Sequence, residues 1–250
     1  MNARALPSRK LFARTLLSVA LGAAYTSSHA LTTLEEFVWN PAAVGLAGTQ
    51  FRADNLIVSD FATIAINGST FSESGFLSVS SFQLDGKDII APGLNDTYSL
   101  YFQFSGAGTV NGPFSSLNYS LFGVNGVPSY GPGGAISASP GAVQLASGSL
   151  ISGGTGTINN LPGAAAAVSF LASANSGFFV TPNAAGFYNT ALTSFINAEG
   201  TVTPTASGFM IDNGGGSLHF AAAIPEPETY ALMLAGLAAL GAVARRRKGH

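Results

Sequence analysis

Between residues 31 and 224, the side chains able to move a proton or hold a metal are almost all carboxylates. Ten acids stand there against one histidine, two cations and no cysteine. Asp54 and Asp60 bracket the segment from Asn55 to Ser59, and a carboxylate pair is the apparatus of glycoside hydrolysis. Asp85 and Asp88 bracket a turn, and with Asn95 and Asp96 they form the one oxygen-rich set from which a calcium site could be built. Calcium loops space their ligands at alternate positions, which these four do not, and Asp in such places ordinarily closes turns. His219 would have to be the base of any Ser-His-Asp system. It lies in the run Leu218, His219, Phe220, where a strand would turn it to solvent. Zinc needs several His or Cys ligands, which this stretch lacks. The expectation is a body that is not an enzyme and binds no cofactor beyond those calcium candidates. Trp39, the only tryptophan, offers a stacking surface for a sugar, but its position before Asn40 and Pro41 reads as a core or turn anchor.

The elements that must position these residues are strands. Gly75 to Leu84, Tyr98 to Phe104, Ser115 to Val124 and Ser217 to Ala222 are short apolar or alternating runs. Asn67-Gly68, Asp85-Gly86, Asn111-Gly112, Asn125-Gly126 and Asp212-Asn213-Gly214 supply turns between them. Thr97 to Ala198 holds 102 residues without one Asp, Glu, Lys, Arg or His. Its regular aromatic residues argue against a disordered linker, and its glycines and small side chains suit tight β-packing. Tyr130 to Gly163 reads as a long loop. Gly186 to Ala198, with Phe187, Leu192, Phe195 and Ile196 on one side, reads as the only helix. The expected fold is all-β, an antiparallel β-sandwich-like body over residues 31–223, with a β-solenoid as the alternative.

Charge is partitioned along the chain. The net −2 of the whole conceals a body at −8, with Arg52 and Lys87 its only cations. Nucleic-acid binding, which needs a basic footprint, is excluded as an expectation. The other cations lie at the two ends. Arg4, Arg9, Lys10 and Arg14 precede an apolar stretch from Leu16 to Tyr25, and Ser28-His29-Ala30 offers small residues to signal peptidase. Residues 1–30 therefore read as a signal peptide cut between Ala30 and Leu31.

At the other end, Pro225, Glu226 and Pro227 precede fifteen uncharged residues, Tyr230 to Ala244, and then Arg245, Arg246, Arg247 and Lys248. As a helix the run spans about 22 Å at about 1.5 Å per residue. That is short for a bilayer core of about 30 Å unless its flanks sit in the interface. The basic cluster holds its end in the cytoplasm as a membrane stop. The prolines keep the triplet extended and accessible.

This tail, residues 224–250, resembles the C-terminal domain of PEP-CTERM proteins, the exported exosortase substrates of Gram-negative bacteria. The resemblance implies transient insertion in the inner membrane, recognition by an exosortase at Pro225, Glu226 and Pro227, and a secreted or cell-surface product. A wider likeness is carried by Phe37, Trp39, Asn40 and Pro41, Gly45 to Thr49, Phe51 to Asn55, Phe71 to Leu77, and Pro92 to Tyr98. Over these segments the chain resembles the flocculation-associated PEP-CTERM proteins of floc-forming bacteria. That implies a structural role in flocculation or biofilm, in association with an exopolysaccharide matrix. A surface-coat protein that touches no polysaccharide is the alternative, and an extracellular glycoside hydrolase a remote one.

Overall fold

Alternation of inward apolar and outward polar residues runs through the long strands and decides the architecture. Leu56, Val58, Ala62, Ile64 and Ile66 share one face of their strand, and Phe71, Leu77 and Val79 the same face of the next. The computed structural model describes residues 36–137, 141–158, 161–173, 177–181, 190–197 and 200–221. The expected signal peptide, the cut between Ala30 and Leu31, the Pro225-Glu226-Pro227 motif, the transmembrane run and the stop at Arg245 to Lys248 lie outside the described residues.

Strands β1 (Phe37–Trp39) and β2 (Phe51–Ala53) flank a 3-10 turn at Pro41–Val44. The long series opens with β3 (Asn55–Asn67) and β4 (Thr70–Leu84), passes the short β5 (Lys87–Ile89), and continues through β6 (Tyr98–Thr109) and β7 (Phe114–Asn125). A hairpin of β8 (Ser129–Gly131) and β9 (Ala135–Ser137) encloses a second 3-10 turn at Pro132–Gly134. Next come β10 (Val143–Ile158), β11 (Leu161–Val168), β12 (Leu171–Ala172) and β13 (Phe179–Thr181). The last three are β14 (Thr190–Ile196), β15 (Val202–Thr205) and β16 (Gly208–Ala221).

The expected all-β antiparallel fold holds, and its sheet is closed. β3, β4, β6, β7, β10, β11, β14 and β16 each pair antiparallel with the next in chain order, and β16 returns to pair with β3. An eight-stranded up-and-down barrel results, and closure leaves none of these eight strands as a free sheet edge. A β-solenoid would need parallel coils. Every ladder between the strands is antiparallel.

Three local expectations are corrected. The 130–163 stretch is not a loop: it contains nearly all of the β8–β9 hairpin, the whole of β10 and the start of β11. The 186–198 segment is not helical where it is described, because Thr190–Ile196 is strand β14. Thr193, Phe195 and Asn197 face the interior with period two, and the sheet on either side selects that period over the helical one. Asp212-Asn213-Gly214 is not a turn between strands but a bulge within β16, where Asn213 takes the left-handed conformation at φ 61°. By contrast, Gly68 at φ 61° closes the β3–β4 hairpin, and Asp85 and Gly86 at φ 53° and 72° close β4–β5.

One end of the barrel is filled. β13, β1 and β2 form a small sheet whose Phe37, Trp39, Phe51 and Phe179, together with Phe178 just before β13, are buried with Phe82, Phe170 and Phe220. Trp39 has ring-centroid distances of 5.1 Å to Phe178 and 5.6 Å to Phe82. Such pairs add about 0.5–1.5 kcal/mol each beyond the area they bury. These aromatics form a floor. The opposite end carries the turn at Gly68-Ser69, the β6–β7 turn and the approach to β16. Val110 N–H donates to Ser69 O, Thr155 N–H to Gly112 O and Ile66 N–H to Ser207 O, which tie that rim together.

Candidate functional site: the barrel interior

Above the aromatic floor the barrel is hollow. The cavity measures about 460 Å³, inside the range of about 300–1,000 Å³ usual for small-molecule sites. Leu77, Phe102, Tyr119, Val168 and Leu218 close its lower end, and Ile64, Phe71, Phe104, Leu117, Phe195, Phe209 and Ile211 contribute to its wall. Tyr119 spends its hydroxyl on Ser169 O at 2.6 Å, and burial pushes its phenol well above the usual range.

Into this apolar space the strand alternation also sends two acids. Asp60 on β3 and Glu73 on β4 occupy inward positions, with Asp60 opposite Leu77 and Glu73 opposite Ile64. Glu73 therefore lies four residues closer to the mouth than the level of Asp60. The two are stacked at different depths rather than joined as a hydrogen-bonded dyad. Burial pushes the Asp60 carboxyl from 3.8 up to about 7. Glu73 rises from 4.5 to about 8, through burial first and then the nearby Asp60 charge. Glu73 is only half-buried by its exposed surface, but that surface faces the cavity, where solvation is poor. Near neutral pH the pair does not ionise fully.

A third polar group joins them. Gly214 on β16 is registered opposite Asp60, and Asn197 follows directly after the pairing of Ile196 with Gly215. The Asn197 amide nitrogen donates to Pro162 O at 2.8 Å, which aims its Oδ1 the other way. A side chain at Gly214 would begin 2.2 Å from Asn197 Oδ1 and 3.3 Å from Asp60 Cβ. Only glycine leaves these groups room to lean towards each other. Asp60 is 3 % exposed and Asn197 6 %, and Oδ1 of each has no hydrogen-bond partner. Orphaned buried acceptors are uncommon and costly.

The pairs suggested by sequence spacing are not assembled. Asp54 lies at the floor end and accepts from the Asp85 backbone N–H at 2.8 Å. It is six residues from Asp60, about 20 Å along a strand, too far for glycosidase carboxyls at about 5–10 Å. His219 sits on the outer face of β16 beside Asp54, half-buried, its Nδ1 without a partner. Burial lowers its pKa, and the Asp54 charge and hydrogen bond oppose that. Of the calcium candidates, Asp88 accepts from Gln83 Nε2 at 3.0 Å, and the Asn95 amide is committed to Val79 O at 2.9 Å and Ser80 O at 3.3 Å. Asp85 forms its turn, and Asp96 N–H donates to Gly93 O. Among the described residues no group of three or more His, Cys, Asp or Glu is placed to hold a metal ion. Trp39 is fully buried in the floor, the anchor and not the sugar platform. Glu73 and Asn197 are absent from the sequence-based candidates. An acid in phase with Phe71, Leu77 and Val79 was the signal that could have found Glu73.

Fold and site together define a class: a closed antiparallel barrel carrying a cup. The family model of the PEP-CTERM protein-sorting motif matches residues 223–248. The chain accordingly carries a PEP-CTERM sorting signal in its tail, which implies export, exosortase sorting and a surface or extracellular location. No curated protein and no solved structure matches it.

Proposed function

We propose that the exported protein is a non-enzymatic component of the extracellular matrix that promotes flocculation or biofilm formation by associating with exopolysaccharide. The observation that carries this reading is the outer wall of the barrel. Ser74, Ser105, Asn118 and Ser149 lie directly opposite one another on β4, β6, β7 and β10, and all four are exposed. Parallel to that row run Ser72, Ala107 and Ser116. No charge interrupts β6, β7 or β10. Hydroxyl and amide groups in this array can exchange hydrogen bonds with neutral sugars. Each contact is weak, and many copies on one polymer supply the net adhesion. The likeness of residues 37–98 to flocculation-associated relatives supports the same reading.

In this reading signal peptidase removes residues 1–30 before the exosortase acts. Carboxylates at the floor end can bridge anionic polymer through calcium. A glycoside hydrolase is disfavoured because the raised-pKa acids Asp60 and Glu73 lie in an apolar cup rather than a hydroxyl-lined cleft.

Deleting the gene while polysaccharide production stays normal is the test. Dispersed cells among free polysaccharide are the expected result, and undiminished flocs would refute the adhesive role. Ser105→Glu with Asn118→Asp, which places charge on the outer row, should weaken flocs without altering export. Chelator dissolution of wild-type flocs tests the cation bridge separately.

A further inference from the structure

We propose that the barrel cup is a binding site for a primary-amine amphiphile: the alkyl chain lies along the apolar wall, and the ammonium group is held by Asp60 and Asn197, with Glu73 adding negative charge nearer the mouth. This is independent of the outer-wall reading, and either can fail alone.

Three observations carry it. First, a hollow of about 460 Å³ persists above a floor packed with aromatic rings. The chain fills one end of its barrel and leaves the other open, so the void is not a consequence of too few large side chains. Second, the wall holds two unpartnered oxygens, Asp60 Oδ1 and Asn197 Oδ1, on residues more than nine-tenths buried. They flank Gly214, where any side chain would collide with Asn197 Oδ1 at 2.2 Å, and both residues line the cavity. Both oxygens are hydrogen-bond acceptors when Asp60 is ionised. A head group with several N–H donors satisfies them together, whereas an incoming carboxylate or phosphate would meet only like partners. Third, the charge is one-sided. The titratable groups lining the cavity are Asp60 from β3, Glu73 from β4 and Tyr119 from β7. The described residues of β6, β10, β11, β14, β15 and β16 that line it contribute none, and no Lys, Arg or His faces it from any of these strands. A cation entering the cup would find counter-charge and no competitor.

Burial that keeps the two acids partly protonated supports the same conclusion. An ammonium would draw their protons off and gain a poorly screened charge pair. An alcohol of equal chain length would gain only the apolar contacts and one neutral hydrogen bond.

The test uses the protein as recovered from the cell exterior, loaded with the neutral fluorophore N-phenyl-1-naphthylamine. Dodecylamine, dodecanol and dodecanoate are titrated in turn as displacers. Dodecylamine should displace at concentrations about tenfold or more below dodecanol, and dodecanoate should be weakest. Asp60→Asn and Glu73→Gln should each erase most of the amine preference while leaving dodecanol within about twofold. Unshifted emission from buried Trp39 shows that the variants are folded. Amine affinity should tighten between about pH 6 and about pH 8.5, where the acids ionise and the alkylamine stays protonated. Equal displacement by amine and alcohol, a preference for dodecanoate, a preference that survives both substitutions, or no uptake of the fluorophore would each overturn the proposal.

Discussion

Asp60 and Glu73 hold their protons because the strands that carry them have no choice of face. In the unfolded chain they titrate near 3.8 and 4.5, and in the barrel near about 7 and about 8. The native state thus binds more protons than the unfolded state between about pH 4 and about pH 8. The stabilisation is complete below the ordinary values and is lost as pH rises through the shifted ones. Denaturation midpoints should fall between about pH 5 and about pH 8.5, by a free energy on the order of a few kcal/mol. Asp60 should carry the larger share, since Glu73 keeps surface that cavity water can screen. Asp60→Asn combined with Glu73→Gln should flatten the profile and leave the barrel more stable at the alkaline end. A slope unchanged by the double substitution would mean that other groups set it. Trp39 makes the complementary case. Trp39→Ala should cost about 3–5 kcal/mol in urea denaturation, because it removes the ring at the centre of the floor. Its core role was legible from the adjoining Asn40 and Pro41. The acids were not recognised as a pair, because spacing along the chain joins Asp54 to Asp60, whereas Asp60 and Glu73 come to face the same cavity only once β3 and β4 are placed in register.

The strands show the same division between local and non-local information. Turn chemistry at Asn67-Gly68 and Asp85-Gly86 was readable because each hairpin is closed by its own residues. β14 was not readable, since Leu192, Phe195 and Ile196 fit a helix as well as a strand until β11 and β16 pair with them. Closure through β10 and β11 was equally hidden in a glycine- and alanine-rich sequence with no strong alternation. Asn213 is the most consequential of the hidden features. Before it, Phe209 and Ile211 face inward, and after it Gly214, Leu218 and Phe220 do. The extra residue exchanges odd for even positions, and that exchange sets Gly214 opposite Asp60. Deleting Asn213 should turn Leu218 and Phe220 outward or force a new register. Trp39 emission should then report an exposed ring and no cooperative unfolding. Asn213→Val keeps the count but puts a β-branched residue at φ 61°, and should cost about 1–2 kcal/mol without loss of fold. If deletion left a stable barrel, the bulge would not be what fixes this strand's frame.

At the scale of the molecule, the two ends of the barrel differ. The described chain enters at the floor by β1 and leaves there at Ala221, two residues before the sorting motif match begins at 223. Glu36, Arg52, Asp54, Asp85, Lys87, Asp88 and Asp96 lie in segments at that end, whereas the turns at Gly68-Ser69 and Val110 to Pro113 carry no charge. The mouth of the cup therefore opens at the end opposite the strand terminus that leads to the tail. Sorting and barrel folding should be separable, because the motif follows in sequence the strand that closes the barrel. Replacing Pro225, Glu226 and Pro227 together by alanine should leave the denaturation midpoint of the barrel unchanged. It should also block processing, so that intact-mass measurement finds Arg245 to Lys248 still attached and fractionation finds the chain with the inner membrane. Cells carrying that variant should not floc, although they make a folded barrel and normal polysaccharide. If they flocculate as well as wild type, adhesion does not require release from the membrane. If the variant is processed normally, the exosortase reads something other than this triplet.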